Sequence, residues 1–594
     1  MQNPTACHAS ETEWRTLKTS VASLYENGEF DAAVQTAKDA IDTAEAAFPP
    51  ADERTASSLA DLAQIHEVRG RYLAALPLYE RALAIRRKCL SKHHPELLLA
   101  LENLGRLHCL LGDPEQGARL YRQALNGLEG ALGRDHIGLV SCVEGLALAE
   151  QDLGHFPACE KLLKRSLALR QAVYGTEHPQ TAWSTDHLAD LRLAQGKPAE
   201  ALRLYEQSLS TREGALGKNH PDVAVGLCNV ARARAALGEF EAALKAQERA
   251  LVVRQQVLGA DHPDIAQSLI SLAQEHRRRD RNGLAEPLCE QALSIREKSF
   301  GPDHPLLADT LVIMAGLRHA QGRHSDALSL HQRALSIREG SFGPEHSSVA
   351  DSLTAIADIH RALERYEEAE PLYERALTLR QALLGDDHPD VAVTMAHLAE
   401  LYYAQGRHEL AGPLYEKALT VSESALGPEH PHTALTLNNL AVLRSVQGRY
   451  ESAEPLFERS LAIREKTLGP QHPDVASSLG NLAVMYSEQS RYAEAEPLHR
   501  RALQIRESTF GPDHPMVATS LHNLADVEIA QGRYADAEAL SERALAIAEN
   551  TLGGDHPDVL LVLGDLAIIY QETGRPELAA QIQTRADSLR QVDV

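Results

Sequence analysis

The sequence predicts an all-α solenoid in which antiparallel helix pairs are stacked side by side. Three observations lead to this fold class. A motif recurs at a constant interval of 42 residues, each interval contains two amphipathic helical patterns, and no segment sustains the alternation of a β-strand.

The interval is read from a histidine that follows a loop, as in LGPQHPDVA at 468–476. This junction histidine recurs with no insertion or deletion at His94, His136, His178, His220, His262, His304, His346, His388, His430, His472, His514 and His556. Two earlier intervals, which start at Ser10 and Asp52, keep the downstream pattern without the histidine. We therefore expect a single continuous array over 1–594, with about fourteen repeats. Its parts are degenerate repeats at 10–93, regular repeats at 94–575 and a capping helix at 576–594.

Each repeat begins with one amphipathic helix. In the repeat at His472, the apolar positions at helical spacing are Val475, Ala476, Leu479, Leu482, Ala483 and Tyr486. A polar turn follows, which reads QGRY or QGRH in four copies, and the glycine that most copies carry there suits the end of a helix.

A second helix completes the repeat, with its apolar side at Ala495, Leu498, Ala502, Leu503 and Ile505. It ends at Phe510, before Gly511. The AEPL proline of many copies lies early in this helix, where it removes at most about one backbone hydrogen bond. One such pair cannot bury its apolar stripe alone, so neighbouring repeats must stack.

The motif residues resemble the tetratricopeptide repeat. In the repeat at His430 they are Leu437, Leu440, Ala441, Gly448, Tyr450, Ala453, Phe457 and Ser460. The phrases NNLAVL, QGRYESAEPLFERSLAIRE and LGPQHPDVA are similar to the 42-residue repeats of kinesin light chains. The resemblance implies a right-handed superhelix that binds peptides or proteins. A kinesin light chain carries a heptad coiled coil before its repeats. We expect none here, because the repeats begin at Ser10.

Two interpretations of the junction histidine are open. Proline follows it in ten of the twelve copies and aspartate often comes next, both of which favour the start of a helix. The histidine would then be the N-cap, with its ring packing or hydrogen-bonding across the repeat junction. The alternative is a metal-binding or pH-sensing ladder. Helices pack about 10 Å apart, which is too far for neighbouring rings to share a metal. We favour the structural role, and we expect no metal and no cofactor.

The resemblance also implies that the first helix of each repeat lines the concave face. The outward positions are 8, 9, 12, 15 and 16 residues after the histidine. At 8 or 9 they carry Asn103, Asn229, Asn438, Asn439, Asn481 and Asn523. An amide that donates and accepts suits the backbone of an extended peptide. A hydrogen bond between helices, or inheritance by repeat duplication, is the alternative.

Basic residues reach the same positions at Arg277, Arg278 and Arg361, as well as at Arg106 and Arg232. They suit an acidic peptide or a C-terminal carboxylate, although a solvated helix end is the simpler interpretation. Towards the C-terminus these positions are mostly acidic, at Asp358, Glu400, Glu488, Asp526, Asp565 and Glu572.

The composition narrows the class of function. A net charge of −24 argues against binding nucleic acid or an anionic membrane. No run approaches the ~20 apolar residues of a membrane span, and no secretory signal is recognisable. Seven cysteines without a CxxC motif suit a reducing compartment, so we expect a cytoplasmic location.

No motif for catalysis is recognisable, so the sequence does not predict an enzyme. The leading hypothesis is a non-catalytic protein–protein interaction scaffold that binds peptide or protein segments in its concave groove. A peptide-sensing regulatory solenoid is one alternative. Self-assembly through end repeats or an uncovered edge helix is another. The oligomeric state stays open, with a monomer favoured.

Overall fold

A computed structural model describes residues 4–554 and 556–590. Within them the chain forms 28 α-helices, one short 3-10 turn and no strand. Odd-numbered helices are the first helices of the repeats: α1 Pro4–Glu26, α3 Glu53–Val68, α5 Pro95–Leu110, α7 Val140–Asp152, α9 Pro179–Ala194, α11 Pro221–Ala236, α13 Pro263–Arg278, α15 Pro305–Ala320, α17 Ser347–Ala362, α19 Pro389–Ala404, α21 Pro431–Val446, α23 Pro473–Glu488, α25 Pro515–Ala530 and α27 Pro557–Glu572.

Even-numbered helices are the second helices: α2 Phe30–Ala47, α4 Tyr72–Cys89, α6 Pro114–Leu132, α8 Phe156–Tyr174, α10 Pro198–Leu216, α12 Phe240–Leu258, α14 Asn282–Phe300, α16 His324–Phe342, α18 Tyr366–Leu384, α20 His408–Ala425, α22 Tyr450–Leu468, α24 Tyr492–Phe510, α26 Tyr534–Leu552 and α28 Pro576–Arg590. Each first helix packs against its own second helix and against the second helix of the preceding repeat. The predicted all-α fold is confirmed. The end of the expected capping segment, 591–594, lies outside the described residues, and a single array over the whole chain stays a prediction.

The junction histidine is the N-cap of the first helix, as predicted. In all twelve copies its side chain accepts a hydrogen bond from the backbone N–H two residues later. At His472 this bond joins Nδ1 to the N–H of Asp474 over 3.1 Å. Where Ile137 replaces the proline, the 3-10 turn Ile137–Leu139 precedes α7. The cap satisfies one of the helix donors that would otherwise lack a partner.

The turn between the two helices requires one residue with a left-handed backbone conformation, that is, a positive φ. Glycine usually supplies it, as at Gly448 with φ of 72°. Asp280, Glu364 and Ser490 adopt the same conformation with φ of 54°, 56° and 57°. A side chain in this region costs about 1–2 kcal/mol, so each of these three turns is strained relative to its glycine copies.

In five repeats a buried arginine near the end of the second helix bridges to the next repeat, a feature that the sequence analysis missed. Arg464 is 5% exposed, and its Nη1 donates to the carbonyl of Asp474 at 2.8 Å and to Ser478 Oγ at 2.9 Å. The same two contacts, ten and fourteen residues downstream, are made by Arg254, Arg296, Arg338 and Arg506. This bridge ties the end of one helix pair to the start of the following one.

Replacing Arg464 by alanine should lower the free energy of unfolding by about 2–3 kcal/mol, because two charge-assisted hydrogen bonds and a packed side chain are lost. Arg459 in the same helix is the matched control. Its side chain is 42% exposed and pairs with Glu423 at 2.7 Å, so Arg459→Ala should cost at most about 1 kcal/mol. Urea unfolding followed by circular dichroism measures both. Equal losses would contradict the bridging role.

Successive turns of the superhelix touch each other. The Nε2 atoms of four junction histidines lie within hydrogen-bond distance of carbonyl oxygens 236 residues earlier. These pairs are His304 with Val68 at 3.2 Å, His346 with Leu110 at 3.0 Å, His388 with Asp152 at 3.1 Å and His430 with Ala194 at 3.3 Å. The rings of Tyr72 and Phe342 stack at 5.3 Å, and those of Phe240 and Phe510 at 5.9 Å, both pairs 270 residues apart. With 42 residues per repeat, one turn takes about six repeats.

We call this contact the inter-turn seam. The later superhelical turn contributes its row of junction histidines, which we call the lower side of the seam. The earlier superhelical turn contributes the loops between its first and second helices, which we call the upper side. These loops begin where the first helices end. His304, His346 and His430 are 5–8% exposed, and burial lowers the pKa of all three. Burial and the neighbouring His432 lower the pKa of His430 to about 4. The seam thus uses neutral rings, which accept at Nδ1 and donate at Nε2.

Acidification should open the seam. These histidines stay neutral in the folded chain, whereas in the unfolded chain they take up a proton near the ordinary pKa of 6.5. Their stabilisation is therefore fully present above that pH and is lost as the pH falls towards 4. The radius of gyration from small-angle scattering should rise between pH 7 and pH 4.5 while helical circular dichroism persists.

The matched variant replaces His304, His346 and His430 by asparagine. Asparagine keeps the N-cap but cannot reach the carbonyl of the preceding turn. This variant should already have the larger radius at pH 7 and should change less on acidification. A wild-type radius that does not depend on pH in this range would refute the seam's role.

Candidate peptide-binding groove

The first helices line the inner side of the superhelix. Neighbouring first helices contact each other directly, in the pairs α1–α3, α5–α7, α11–α13, α13–α15, α17–α19, α21–α23, α23–α25 and α25–α27. Contacts between successive second helices are weaker or absent in the described part of the chain. The side with the shorter spacing is the concave side, so the groove is built from first helices.

Three of the candidate asparagines bond across the gap between neighbouring first helices. Asn439 donates from Nδ2 to Glu400 Oε1 at 3.0 Å, and Asn481 donates from Nδ2 to Asn438 Oδ1 at 3.2 Å. Asn438 is only 6% exposed, so the expectation that it faces outward was wrong. The packing of α21 against α23 encloses it. These bonds use part of each amide's capacity, since an amide offers two donors and one acceptor with two lone pairs.

The side chains of the other three asparagines make fewer hydrogen bonds. Asn103, Asn229 and Asn523 are half-buried on the groove wall. Asn229 Oδ1 lies 3.5 Å from Arg232 Nη1, at the limit of a hydrogen bond. Among the residues that the structure describes, the side chains of Asn103 and Asn523 have no hydrogen-bond partner. Their role in binding stays a prediction.

Most groove arginines already have an acidic partner. Arg106 pairs with Glu67 of the preceding repeat. Arg232 lies 3.0 Å from Asp190. Arg361 Nη2 lies 3.7 Å from a carboxylate oxygen of Asp358 and 3.7 Å from one of Glu400.

Arg277 and Arg278 differ from these, because both are exposed and weakly paired. Arg278 lies 3.9 Å from Glu275 Oε1, and Arg277 has no ion-pair partner in the part of the chain that the structure describes. The groove wall partly desolvates the Arg277 guanidinium, and this together with the charge of Arg278 lowers its pKa. In a chain with a net charge of −24, an unpaired groove cation is an exception.

One acidic cluster in the groove contains its own cation. Tyr373 donates from its hydroxyl to Asp358 Oδ1 at 2.6 Å, and His397 Nδ1 lies 3.4 Å from the same oxygen. Arg361 lies beside Asp358 and Glu400 and balances their charge. Burial opposes ionisation of Asp358, but the hydrogen bond and charge of His397 outweigh it and lower the pKa of this carboxyl.

A second cluster, formed by α25 and α27, has no such arginine. His522 Nδ1 lies 2.5 Å from Asp565 Oδ2, and His522 Nε2 lies 3.7 Å from Asp526 Oδ2. The repeat position of Arg361 is taken by Ile529. Burial and the charge of Asp565 raise the pKa of Asp526 to about 6. Asp565 is 6% exposed, so the expectation that it faces outward was wrong.

The second cluster is also the place in the described residues where three potential metal ligands converge. One ligand atom from each of His522, Asp526 and Asp565 lies within 4.8 Å of the other two. An imidazole with two carboxylates is a donor set that divalent transition metals accept. The sequence analysis named both carboxylates as outward positions but missed the histidine, which lies eight residues after His514.

Replacing Asp526 by asparagine should stabilise the chain at pH 7 by at most about 1 kcal/mol, since this half-exposed carboxylate is partly screened by solvent. The raised pKa means that the folded chain holds the Asp526 proton more tightly than the unfolded chain does. Wild-type stability therefore falls as the pH rises through about 6, and the gain from the variant should shrink at pH 5.

Denaturant unfolding at pH 5 and pH 8 measures this difference. Glu572→Gln, at an exposed position of the same groove, is the control and should leave stability nearly unchanged at both values. A gain from Asp526→Asn that is equal at pH 5 and pH 8 would contradict the charge argument.

The fold and the groove define the class of protein: a helical-repeat solenoid with a polar concave face. The tetratricopeptide repeat family matches the chain in twelve overlapping segments, 15–88, 54–130, 139–214, 187–251, 222–286, 276–340, 307–382, 348–411, 395–466, 433–508, 474–549 and 517–590. The chain therefore belongs to the tetratricopeptide repeat family. Repeats of this family in general form protein-interaction scaffolds, and such scaffolds are typically non-catalytic.

Solved structures with similar repeats include BtubC (BKLC) from P. vanneervenii, at 28% identity and a TM-score of 0.33 over 40% of this chain and 92% of that one. Two structures of a protein named as a kinesin light chain from Podosopora anserina, with nearly identical TPR-like repeats, match at 29% identity. Both have a TM-score of 0.31 and cover 34% of this chain and 96% of theirs. No curated protein matches the chain.

Among the described helices, none combines the length and the apolar character needed to cross a bilayer.

Proposed function

We propose that this protein is a non-catalytic scaffold that binds a peptide segment along its concave face. The observation that carries the proposal is Arg277, an exposed groove cation with no ion-pair partner in the described residues. Groove positions in other repeats hold amides with free hydrogen-bonding capacity, as at Asn103 and Asn523. Such groups suit the backbone and the charges of an extended chain.

The inter-turn seam favours a narrow ligand. Contacts such as His346 with Leu110 and Tyr72 with Phe342 join successive superhelical turns and narrow the openings between them. The concave face is then reached along the superhelix axis rather than from the side. A peptide or a chain terminus fits this access better than a folded domain does.

The charge along the groove suggests the polarity of the ligand. Arg277 and Arg278 lie midway along the chain, whereas Asp526, Asp565 and Glu572 lie near its C-terminal end. An acidic segment or a C-terminal carboxylate would pair with the arginines through two parallel hydrogen bonds. Electrostatic complementarity of this kind favours one orientation of the bound peptide. A cytoplasmic location is part of the proposal.

The test measures binding of two fluorescent peptides, one acidic with a free C-terminus and one basic, by anisotropy at two salt concentrations. We expect the acidic peptide to bind wild type and to lose at least tenfold in affinity with Arg277→Ala, which corresponds to about 1.4 kcal/mol. Asn103→Ala and Asn523→Ala should each weaken binding by a smaller factor.

Arg459→Ala is the matched control, because Arg459 pairs with Glu423 on a second helix, away from the groove. It should bind the acidic peptide as wild type does. Equal affinity of wild type and Arg277→Ala, or equal affinity for acidic and basic peptides, would rule out this groove site.

A further inference from the structure

Both sides of the inter-turn seam are repeated where no neighbouring turn covers them. The lower side continues into the first turn at His94, His136, His178 and His220, which have no earlier turn beneath them. The upper side continues into the last repeats at Gly406, Gly448, Gly532 and Gly574, which have no later turn above them. The chain thus carries a free copy of each half of its own internal interface.

Most of the covered histidines are more deeply buried than the uncovered ones. His304, His346, His430 and His472 are 5–9% exposed. His388, which also contacts the preceding superhelical turn, is half-buried. The copies in the first superhelical turn are half-buried, and His136 is exposed. All of them hold the same N-cap position, so an adjoining turn accounts for the deeper burial.

The turn glycines show where a junction is seated most closely on the upper side. A Cβ on Gly70 would lie 2.2 Å from Pro305 Cδ, and one on Gly196 would lie 2.3 Å from Pro431 Cδ. The same atom on Gly406, Gly448, Gly532 or Gly574 would meet nothing within 4 Å, as it would on Gly154, which lies two residues from the carbonyl that His388 contacts. The last repeats therefore have room for a histidine–proline junction, and none is seated on them.

Aromatic and apolar residues follow the same pattern. Leu132 and Tyr174 occupy the repeat position of Phe342, which stacks on Tyr72 in the seam, and they are 44% and 42% exposed. Tyr450, Tyr492 and Tyr534 occupy the position of Tyr72 on the free upper side. Bringing these two rows together would bury the same kind of contact that the seam already makes.

We infer that a second copy of this chain covers these edges. The first-turn histidines of one copy donate from Nε2 to the carbonyl groups that end the first helices in the last turn of the other. The two surfaces differ, so the contact is head-to-tail and leaves a free edge at each end. The assembly is therefore an open filament of coaxial superhelices, distinct from the end-repeat contact considered from the sequence.

The net charge determines how assembly depends on the salt concentration. Each copy carries a net charge of −24, so copies repel one another at low ionic strength. Salt screens this repulsion, whereas the apolar and hydrogen-bonding contacts of the seam are screened little. Association should therefore strengthen as the salt concentration rises.

The test is sedimentation velocity and light scattering of the full chain over a concentration series at low and high salt. The weight-average mass should rise above the monomer value of 64.9 kDa with concentration, more steeply at high salt. One variant carries Gly406→Asn, Gly448→Asn and Gly532→Asn. Asparagine tolerates positive φ, and its side chain has open space in the single chain but clashes with a seated proline. This variant should stay at the monomer mass.

A second variant carries His94→Asn, His136→Asn and His178→Asn, which keep the N-caps and remove the Nε2 donors. It should shift the association midpoint to higher concentration. Gly28→Asn and His556→Asn apply the same replacements away from the free edges and should assemble as wild type does. Thermal unfolding confirms that every variant is folded.

A wild-type mass that stays at 64.9 kDa at all concentrations and salt levels would overturn the inference. So would assembly in which both triple variants behave as wild type, because a different surface would then be responsible.

Discussion

Four junction histidines, His304, His346, His388 and His430, make two hydrogen bonds that act at different scales. Nδ1 accepts from the helix that the residue caps, as at His430 with the N–H of His432 over 3.1 Å. Nε2 of the same ring faces the carbonyl of Ala194, one superhelical turn earlier. The first bond starts a helix, and the second fixes the pitch of the superhelix. The ring must be neutral to do both, since protonation places a hydrogen on the accepting nitrogen.

The pitch in turn decides what the groove can do. A superhelix whose turns touch has a concave face that is reached along its axis, and it exposes the two sides of the seam only at its ends. The strict 42-residue period makes this possible, because one insertion would shift every later histidine away from its carbonyl. The buried arginines support the same regularity, because Arg464 and its copies hold consecutive repeats in the same relative orientation.

Differences between the repeats, rather than their shared motif, produce the chemistry of the groove. At one place the carboxylates of Asp358 and Glu400 have Arg361 beside them. At the corresponding place near the C-terminus Ile529 replaces the arginine, and Asp526 and Asp565 share a single histidine. In the middle of the chain the positive charge of Arg277 has no ion-pair partner among the described residues. Nearly identical repeats can thus present a cation at one level and concentrated negative charge at another.

The sequence alone determined the helices, their order and their caps, because these depend on neighbours within one repeat. Periodic apolar residues set the buried faces, and proline after histidine set the start of most first helices. It also predicted Asn439 and Asn481 as groove residues, and their role in binding stays a prediction. Only the tertiary structure decided that Asn438 is enclosed and that Asp565 bonds His522, because those contacts join residues about one repeat apart whose side chains meet only after stacking.

The Nε2 hydrogen bond of the junction histidines to the preceding superhelical turn was the contact that the sequence could least predict. Periodicity shows that His346 and Leu110 recur, but their separation of 236 residues is not a multiple of the repeat. It follows from the small rotation between consecutive repeats, summed over about six of them, which only the packing of whole helices sets.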